Sequence, residues 1–252
     1  MSLQRSQAIL LRRQSLRETS IILTFYTRDF GKIKGIVRGV RGPRAQGHGG
    51  GAHEIFALDD IVFYERKARE IYTVSQCDLV EFFAPVRASL EGFGHATYMI
   101  ELLDAVTGLG DPHPQAYDLA LACLRLMARD ADPRRTARIF EIRLLSALGI
   151  MPRLSSCVRC GAATDPAARF SLRQGGLVCA ACCVGDGSAG PIMPGTAKFI
   201  ESVQSLPFDR IDRVTVSEQV AKDLELVLRR FLDYHIDRKL KTVAFLKQID
   251  QF

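Results

Sequence analysis

The 252-residue chain has no tryptophan and only 8% aromatic residues, so one stacking side chain is missing while Phe and Tyr remain. It has no run of 18 or more apolar residues, which excludes an ordinary membrane-spanning helix. The opening residues Met1, Ser2, Leu3, Gln4 and Arg5 lack the apolar core of a signal peptide, and the expectation is a soluble cytoplasmic protein with no membrane partner. A P-loop, a GxGxxG turn, an HExxH pair and a GxSxG elbow are all absent, so nucleotide hydrolysis and the common hydrolase chemistries have no visible machinery. The five histidines (His48, His53, His95, His113, His235) are scattered. Glu101 and Asp104 share a helix face, which is ordinary surface patterning. No catalytic residue is expected, and the bet is a binding protein rather than an enzyme.

Acidic residues are scarce in one place. Residues 1–50 carry ten Lys or Arg against Glu18 and Asp29, whereas residues 81–150 carry seven against nine. The net charge of +6 is therefore local: a basic module joined to a nearly neutral remainder, as expected where one face meets a polyanion. With 47% hydrophobic and 25% charged residues the chain is globular, and its length suits two or three compact units.

Short strands are predicted at Ala8–Arg13, Ile21–Thr27, Lys32–Val40, Asp59–Glu65 and Ile71–Leu79, rich in Ile, Val, Phe, Tyr and Thr. The third alternates Ile33, Gly35 and Val37 against Lys32, Lys34, Ile36 and Arg38. Five such strands, with a Gly-rich connection at residues 41–51 after the third, suit a small barrel of the OB type. From Glu81 the period is helical: a long segment from Val86 to Val106, then Tyr117–Arg129, then Pro133–Leu148 with Asp132 as N-cap and Gly149 as terminator. Helical pattern returns at Thr196–Ser205 and Ser217–Leu240. The fold class is thus α+β and multidomain: an OB-fold barrel over residues 1–80, a helical domain over 81–152 and 191–252, and an insertion at 153–190.

That insertion holds the cysteines. Cys157 and Cys160, then eighteen residues, then Cys179 and Cys182 form a CxxC pair of pairs. Two intervening residues let a tight knuckle aim both thiolates at one ion, and two knuckles close a tetrahedron, so a structural Zn2+ is expected at a zinc-ribbon-like site. Four thiolates leave no open position for a reacting water. Cys183 is an alternative fourth ligand.

The basic residues of the barrel form a candidate nucleic-acid site: Arg12 and Arg13, with Arg17, near the first strand, and Lys32, Lys34, Arg38, Arg41 and Arg44 along the third strand and the loop after it. Lys32, Lys34 and Arg38 have one parity and would form a stripe able to follow a sugar-phosphate backbone. Phe25, Tyr26, Phe30, Phe63, Tyr64 and Tyr72 are possible stacking platforms, though most are expected in the core.

The segment Gly31-Lys32-Ile33-Lys34-Gly35-Ile36-Val37-Arg38-Gly39, the stretch Phe140-Glu141-Ile142-Arg143-Leu144-Leu145-Ser146-Ala147-Leu148-Gly149 and the following Cys157-x-x-Cys160-Gly161 resemble, in their order and spacing, the RecO family of bacterial DNA-repair proteins. The resemblance covers nearly the whole chain. It implies a recombination mediator in DNA repair that binds single- and double-stranded DNA, anneals complementary strands, partners RecR and helps load RecA on SSB-coated DNA, in the cytoplasm and associated with the nucleoid. It also implies a docking surface for the acidic, apolar-ended SSB tail. The helix from Pro133 offers Arg134, Arg135 and Arg138 beside Ile139, Ile142 and Leu145 for that role; the alternative is that this stripe is core. Two other readings stay open: an RNA-binding zinc-ribbon and OB-fold protein of transcription or translation, and a nucleic-acid-modifying enzyme with an unrecognised site.

Overall fold

The computed structural model describes residues 2–17, 20–38, 53–65, 70–129, 131–163, 167–213, 215, 217–236 and 238–249. Arg41 and Arg44, with the Gly-rich connection, lie outside the described residues, as does the side chain of Arg17. The chain forms two compact units, Met1–Ala137 with Leu240–Phe252, and Arg138–Lys239.

The first unit begins with β1 (Ser2–Arg17), β2 (Ser20–Thr27), β3 (Gly31–Arg38), β4 (Leu58–Glu65) and β5 (Ile71–Glu81). β1 is long enough to serve two neighbours. Ser2 to Ile9 pair with β4 and Ala8 to Arg17 with β2, so the sheet closes on itself in the order β1-β2-β3-β5-β4. Register shifts between Leu10 and Arg12 and between Ser15 and Arg17 give this strand the local bends that closure requires. All pairings are antiparallel except β3 with β5, which run parallel through Lys34–Ile71, Gly35–Tyr72 and Ile36–Thr73.

Strand parity then decides the interior. Ile21, Leu23 and Phe25 of β2, Ile33 and Val37 of β3, and Ile61 and Phe63 of β4 point inward with Ala8, Leu10, Val74 and Cys77, as the alternation in the sequence predicts. Between Ile33 and Val37 only glycine fits, because a Cβ on Gly35 would stand 2.3 Å from Val74 Cγ2. Gly31, at φ +63°, is fixed twice over: a side chain there would be strained and would meet the Asp111 carbonyl oxygen at 2.3 Å.

Four helices complete this unit: α1 (Ala84–Arg87), α2 (Leu90–Val106), α3 (Pro114–Met127) and, after the second unit, a helix at Thr242–Ile249. The single helix predicted from Val86 to Val106 is two, because the Ser89 hydroxyl accepts from Gly92 N at 2.9 Å and starts a new N-terminus. Glu101 is not a solvated surface acid. Its carboxylate accepts from Lys241 N, Thr242 N and Thr242 Oγ1 at 2.9, 2.8 and 2.6 Å, capping the last helix.

The second unit takes most of α4 (Pro133–Ala147), whose first turn is capped as predicted by Asp132 Oδ1 accepting from Arg134 N and Arg135 N and which ends before Gly149 at φ +70°. Phe140, Ile142, Leu144 and Leu145 are buried, and Glu141, fully buried, accepts from Arg138 Nη1 at 2.9 Å. A three-stranded sheet of β6 (Arg169–Ser171), β7 (Gly176–Val178) and β8 (Ala189–Gly190) follows in the order β7-β6-β8, with α5 (Ala180–Cys183) inside it in sequence. α6 (Pro194–Ser205) and α7 (Glu218–His235) are joined by Asp223, which accepts from Met193 N at 2.9 Å and Thr196 Oγ1 at 2.6 Å. α7 stops at His235 rather than Leu240; numbered in chain order, the helix at Thr242–Ile249 is α8. Among the described residues no helix is long and apolar enough to cross a membrane.

One buried group in the barrel makes stability depend on pH. Asp59 is 3% exposed and its Oδ2 has no hydrogen-bond partner. Burial pushes its carboxyl up to about 6 from 3.8, against the hydrogen bond with the Cys77 thiol that lowers it. An acid whose folded pKa is raised costs stability above that pKa and regains it as pH falls from about 6 towards 4. At about 1.4 kcal/mol per unit, Asp59→Asn should gain about 2–3 kcal/mol at pH 7 and almost nothing at pH 4. Thermal melts of both proteins across that range check it; a gain independent of pH would contradict the assignment.

Candidate nucleic-acid interface and metal centre

The predicted cations do not share one fate. On β3, Lys34 is half-buried and Arg38 exposed, and Arg13 on β1 is exposed. Lys32 has the same parity but lies beneath α2, 9% exposed, with Nζ donating to the Asp104 backbone oxygen at 2.6 Å and to Asp104 Oδ1 at 3.2 Å. Arg12 Nη2 donates to Asp104 Oδ2, so one buried carboxylate holds both cations. The backbone follows the same join, with Gly110 N donating to Lys32 O at 2.9 Å. Arg28, a cation not singled out in the sequence, pairs with both oxygens of Asp118 on α3 at 3.1 and 3.2 Å, a partner no local pattern reveals.

What Lys34 and Arg38 flank is a row running round the outside of the barrel. Register places Leu3 opposite Tyr64, Tyr64 opposite Thr73, Thr73 opposite Ile36, and Ile36 opposite Ile22. Leu3 and Tyr64 are 61% and 36% exposed, while Ile36 and Ile22 are half-buried. Tyr64 is the aromatic of the expected set that faces outward into solvent. Phe25, Tyr26 and Phe63 are fully buried, Tyr72 stacks on Phe63 at 5.5 Å, and Phe30 meets the edge of Phe63 at 5.3 Å. An exposed phenol in an apolar row between cations offers a base one face and its phosphates two charges.

The cysteines converge. The sulfurs of Cys157, Cys160, Cys179 and Cys182 lie within 4.8 Å of one another, with Cys160 Sγ and Cys179 Sγ 3.8 Å apart. Thiolates about 2.3 Å from a tetrahedral ion stand about 3.8 Å apart, so small inward shifts complete a site that can bind a metal. The first knuckle is closed by Gly161 at φ +74°, whose N–H donates to Cys157 O at 2.9 Å. Backbone N–H groups of Cys179 and Cys160 draw the Cys157 thiol down, whereas hydrogen bonding with Cys179 and Cys160 holds the Cys182 proton on. Cys183 stands outside this group, its N–H donating to Cys179 O in α5.

Along α4, Ile139, Ile142 and Leu145 are buried, so the apolar stripe beside the arginines is core. Arg134 is half exposed and 3.7 Å from Glu91, and Arg138 is largely buried against Glu141. These contacts within α2 and α4 set the geometry from which any docking at Arg134, Arg135 and Arg138 would start.

The family model described as recombination protein O N terminal matches residues 1–83, and that described as recombination protein O C terminal matches residues 87–244. The chain belongs to the RecO family. It is 36% identical over 251 residues to the DNA repair protein RecO of Pelotomaculum thermopropionicum, covering all of this chain and 96% of that one. Identity is 27% to the protein of that name from Acetivibrio thermocellus, over all of this chain and 99% of that one, and 26% to that from Listeria innocua, over 99% and 96%. The N-terminal RecO model ends just before α1, and the C-terminal one begins at the last residue of that helix.

The Asp104 clamp separates two classes of substitution on one strand face. Lys32→Glu sets a second carboxylate against a buried one and should cost about 3–5 kcal/mol, read as a lowered melting temperature. Lys34→Glu with Arg38→Glu should leave the melt close to wild type. A Lys32→Glu protein as stable as wild type would refute the clamp.

Proposed function

We propose that this chain is a DNA-binding mediator of recombination in DNA repair, without catalytic residues of its own. It binds single- and double-stranded DNA, anneals complementary strands, and assists RecA loading on SSB-coated DNA together with RecR. The observation that carries the reading is the outward row Leu3, Tyr64, Thr73, Ile36, Ile22 flanked by Lys34 and Arg38. It lies on a barrel whose strand order and single parallel pairing, β3 with β5, match an OB fold, and family membership supports the same conclusion. Lysine and arginine on this face neutralise phosphate and release counterions, so two like-charged strands approach at lower cost. Stacking on Tyr64 engages the flat face of a base and leaves its pairing edge open to the complement. Arg12 and Arg13 extend the basic surface in this reading, and Arg41 and Arg44, outside the described residues, are further proposed contacts.

Residues 1–80 act as the nucleic-acid module, 81–152 with 191–252 as the helical domain, and 153–190 as the metal module. The four cysteines hold a structural Zn2+, which would supply folding energy to a segment with little core and no chemistry towards substrate. Arg134, Arg135 and Arg138 mark the helix end where an SSB tail would meet cations. The site of action is the cytoplasm, at the nucleoid.

Fluorescence-detected annealing of complementary oligonucleotides tests the mediator directly. Wild type should speed annealing without nucleotide, and Lys34→Glu/Arg38→Glu should reduce the magnitude of the salt slope of single-strand affinity by about 1.4, at about 0.7 per lost contact. Unaccelerated annealing, or covalent change in the strands, would overturn the reading.

Elemental analysis tests the metal. Wild type should carry one zinc per chain, and Cys160→Ser should lose it and become protease-sensitive within 153–190. A metal-free wild type with reduced thiols would end the assignment.

A further inference from the structure

The metal module has a charge pattern that its structural role does not use. Between Ile150 and Gly190 the chain has four arginines, no lysine, and the acids Asp165 and Asp186. Asp165 lies outside the described residues. Asp186 is 8% exposed and already engaged, accepting from Ser171 Oγ, Ser188 Oγ and Ser188 N at 2.6, 2.6 and 3.0 Å. Those bonds draw its carboxyl down to about 2. Arg153, Arg159, Arg169 and Arg173 are all exposed. Only Arg173 approaches an acid among the described residues, at 3.6 Å from Asp186. Arg159 donates to the Cys182 carbonyl at 2.9 Å, inside a knuckle whose thiolates would stay net negative with Zn2+ bound, so Arg153 and Arg169 are the cations of the module that face no acid among the described residues.

The backbone fixes where these arginines emerge. Arg153 lies along β7, its N–H donating to Gly175 O at 3.0 Å and its carbonyl accepting from Leu177 N at 2.9 Å. Arg169 begins β6 opposite Val178, next to Cys179. Arg173 sits in the turn between those strands and Arg159 inside the first cysteine knuckle. The backbones approach closely here, since a Cβ on Gly176 would meet Arg153 O at 2.3 Å and Val158 Cγ1 at 2.6 Å. The arginines are therefore presented from a packed hairpin and from the knuckle.

We propose that this module is a second contact point for nucleic acid, gripping the phosphate backbone through Arg153, Arg159, Arg169 and Arg173. This rests on the DNA-binding reading above and goes beyond it, since that reading gives the module only a structural metal. Planar guanidinium forks suit phosphate oxygens bidentately. A protein partner is disfavoured because such an interface needs a buried apolar anchor. Phe170, Leu177 and Val178 are buried in the module, and from Met151 to Gly190 Val184 is the one large hydrophobic that stands exposed among the described residues. With no outward aromatic among the described residues, the module contacts backbone alone and does not discriminate between single strands and duplex.

The test compares two double variants in salt titrations of DNA affinity. Arg153→Glu/Arg169→Glu avoids the arginines that brace Cys182 and Asp186. It should reduce the slope magnitude by about 1.8 on duplex, at about 0.9 per contact, with melting and metal content as in wild type. Arg153→Gln/Arg169→Gln gives the same reading if charge reversal prevents folding. Lys34→Glu/Arg38→Glu is the barrel arm. A module variant that keeps the wild-type slope while the barrel variant loses it overturns this inference and leaves the barrel reading standing. Loss in the module variant alone, on single strands as well as on duplex, supports the inference and overturns the barrel as the site. Wild-type slopes in both folded variants, or no DNA binding by wild type, overturn both.

Discussion

Asp104 is the constraint on which the first unit depends. It is a carboxylate, 8% exposed, near the C-terminal end of α2, where the helix dipole disfavours negative charge. The arrangement holds because Lys32 places its ammonium on the Asp104 carbonyl as well as on the carboxylate, and Arg12 takes the other carboxylate oxygen. A buried ion pair of this kind adds little net stability, but removing one partner leaves an uncompensated charge. Its effect is therefore positional. β1 and β3 are both fixed to α2, and one turn earlier Glu101 fixes α8 to the same helix. The outer face of the barrel is divided as a result: α2 covers the Lys32 end, while Arg38 at the other end of the strand is exposed.

Strand parity was legible because it is local. The alternation of Ile33, Gly35 and Val37 needs no knowledge of the rest of the chain, and those positions face the core. Lys32 shows where such reasoning stops. Its parity is that of Lys34 and Arg38, yet its environment is set by a residue 72 positions away, which no period reveals. α8 is similar: the helical pattern runs on past His235, and the boundary depends on a carboxylate from α2 binding Thr242 N. By contrast, the break at Ser89 was written locally as a cap and could have been read, since a Ser before Leu-Glu-Gly is an ordinary helix start.

The same division explains the two candidate sites. Four sulfurs converge because CxxC spacing acts within a single turn and the hairpin joins only two such turns, so the cluster is almost entirely a local property. The arginine and isoleucine pattern of α4 is equally regular, but an amphipathic stripe is the same signature whether it faces a core or a partner. Here Ile139, Ile142 and Leu145 face the core. Glu141 belongs to the same logic: a charge inside the stripe, tolerated because Arg138 is one turn away.

If the proposed function holds, the two surfaces divide the recognition of nucleic acid by chemistry. The barrel row offers Tyr64 and apolar neighbours, and an aromatic platform is useful only to a base that has left its stack; a duplex presents it nothing to bind. The metal module offers arginines without an outward aromatic among the described residues, and phosphate is common to both forms. A strand bound on the barrel is therefore one whose bases are already separated, while the module's contacts are indifferent to pairing. Annealing converts the first kind of ligand into the second. The barrel's grip weakens as bases pair and withdraw from Tyr64, whereas contacts to backbone alone persist through the conversion.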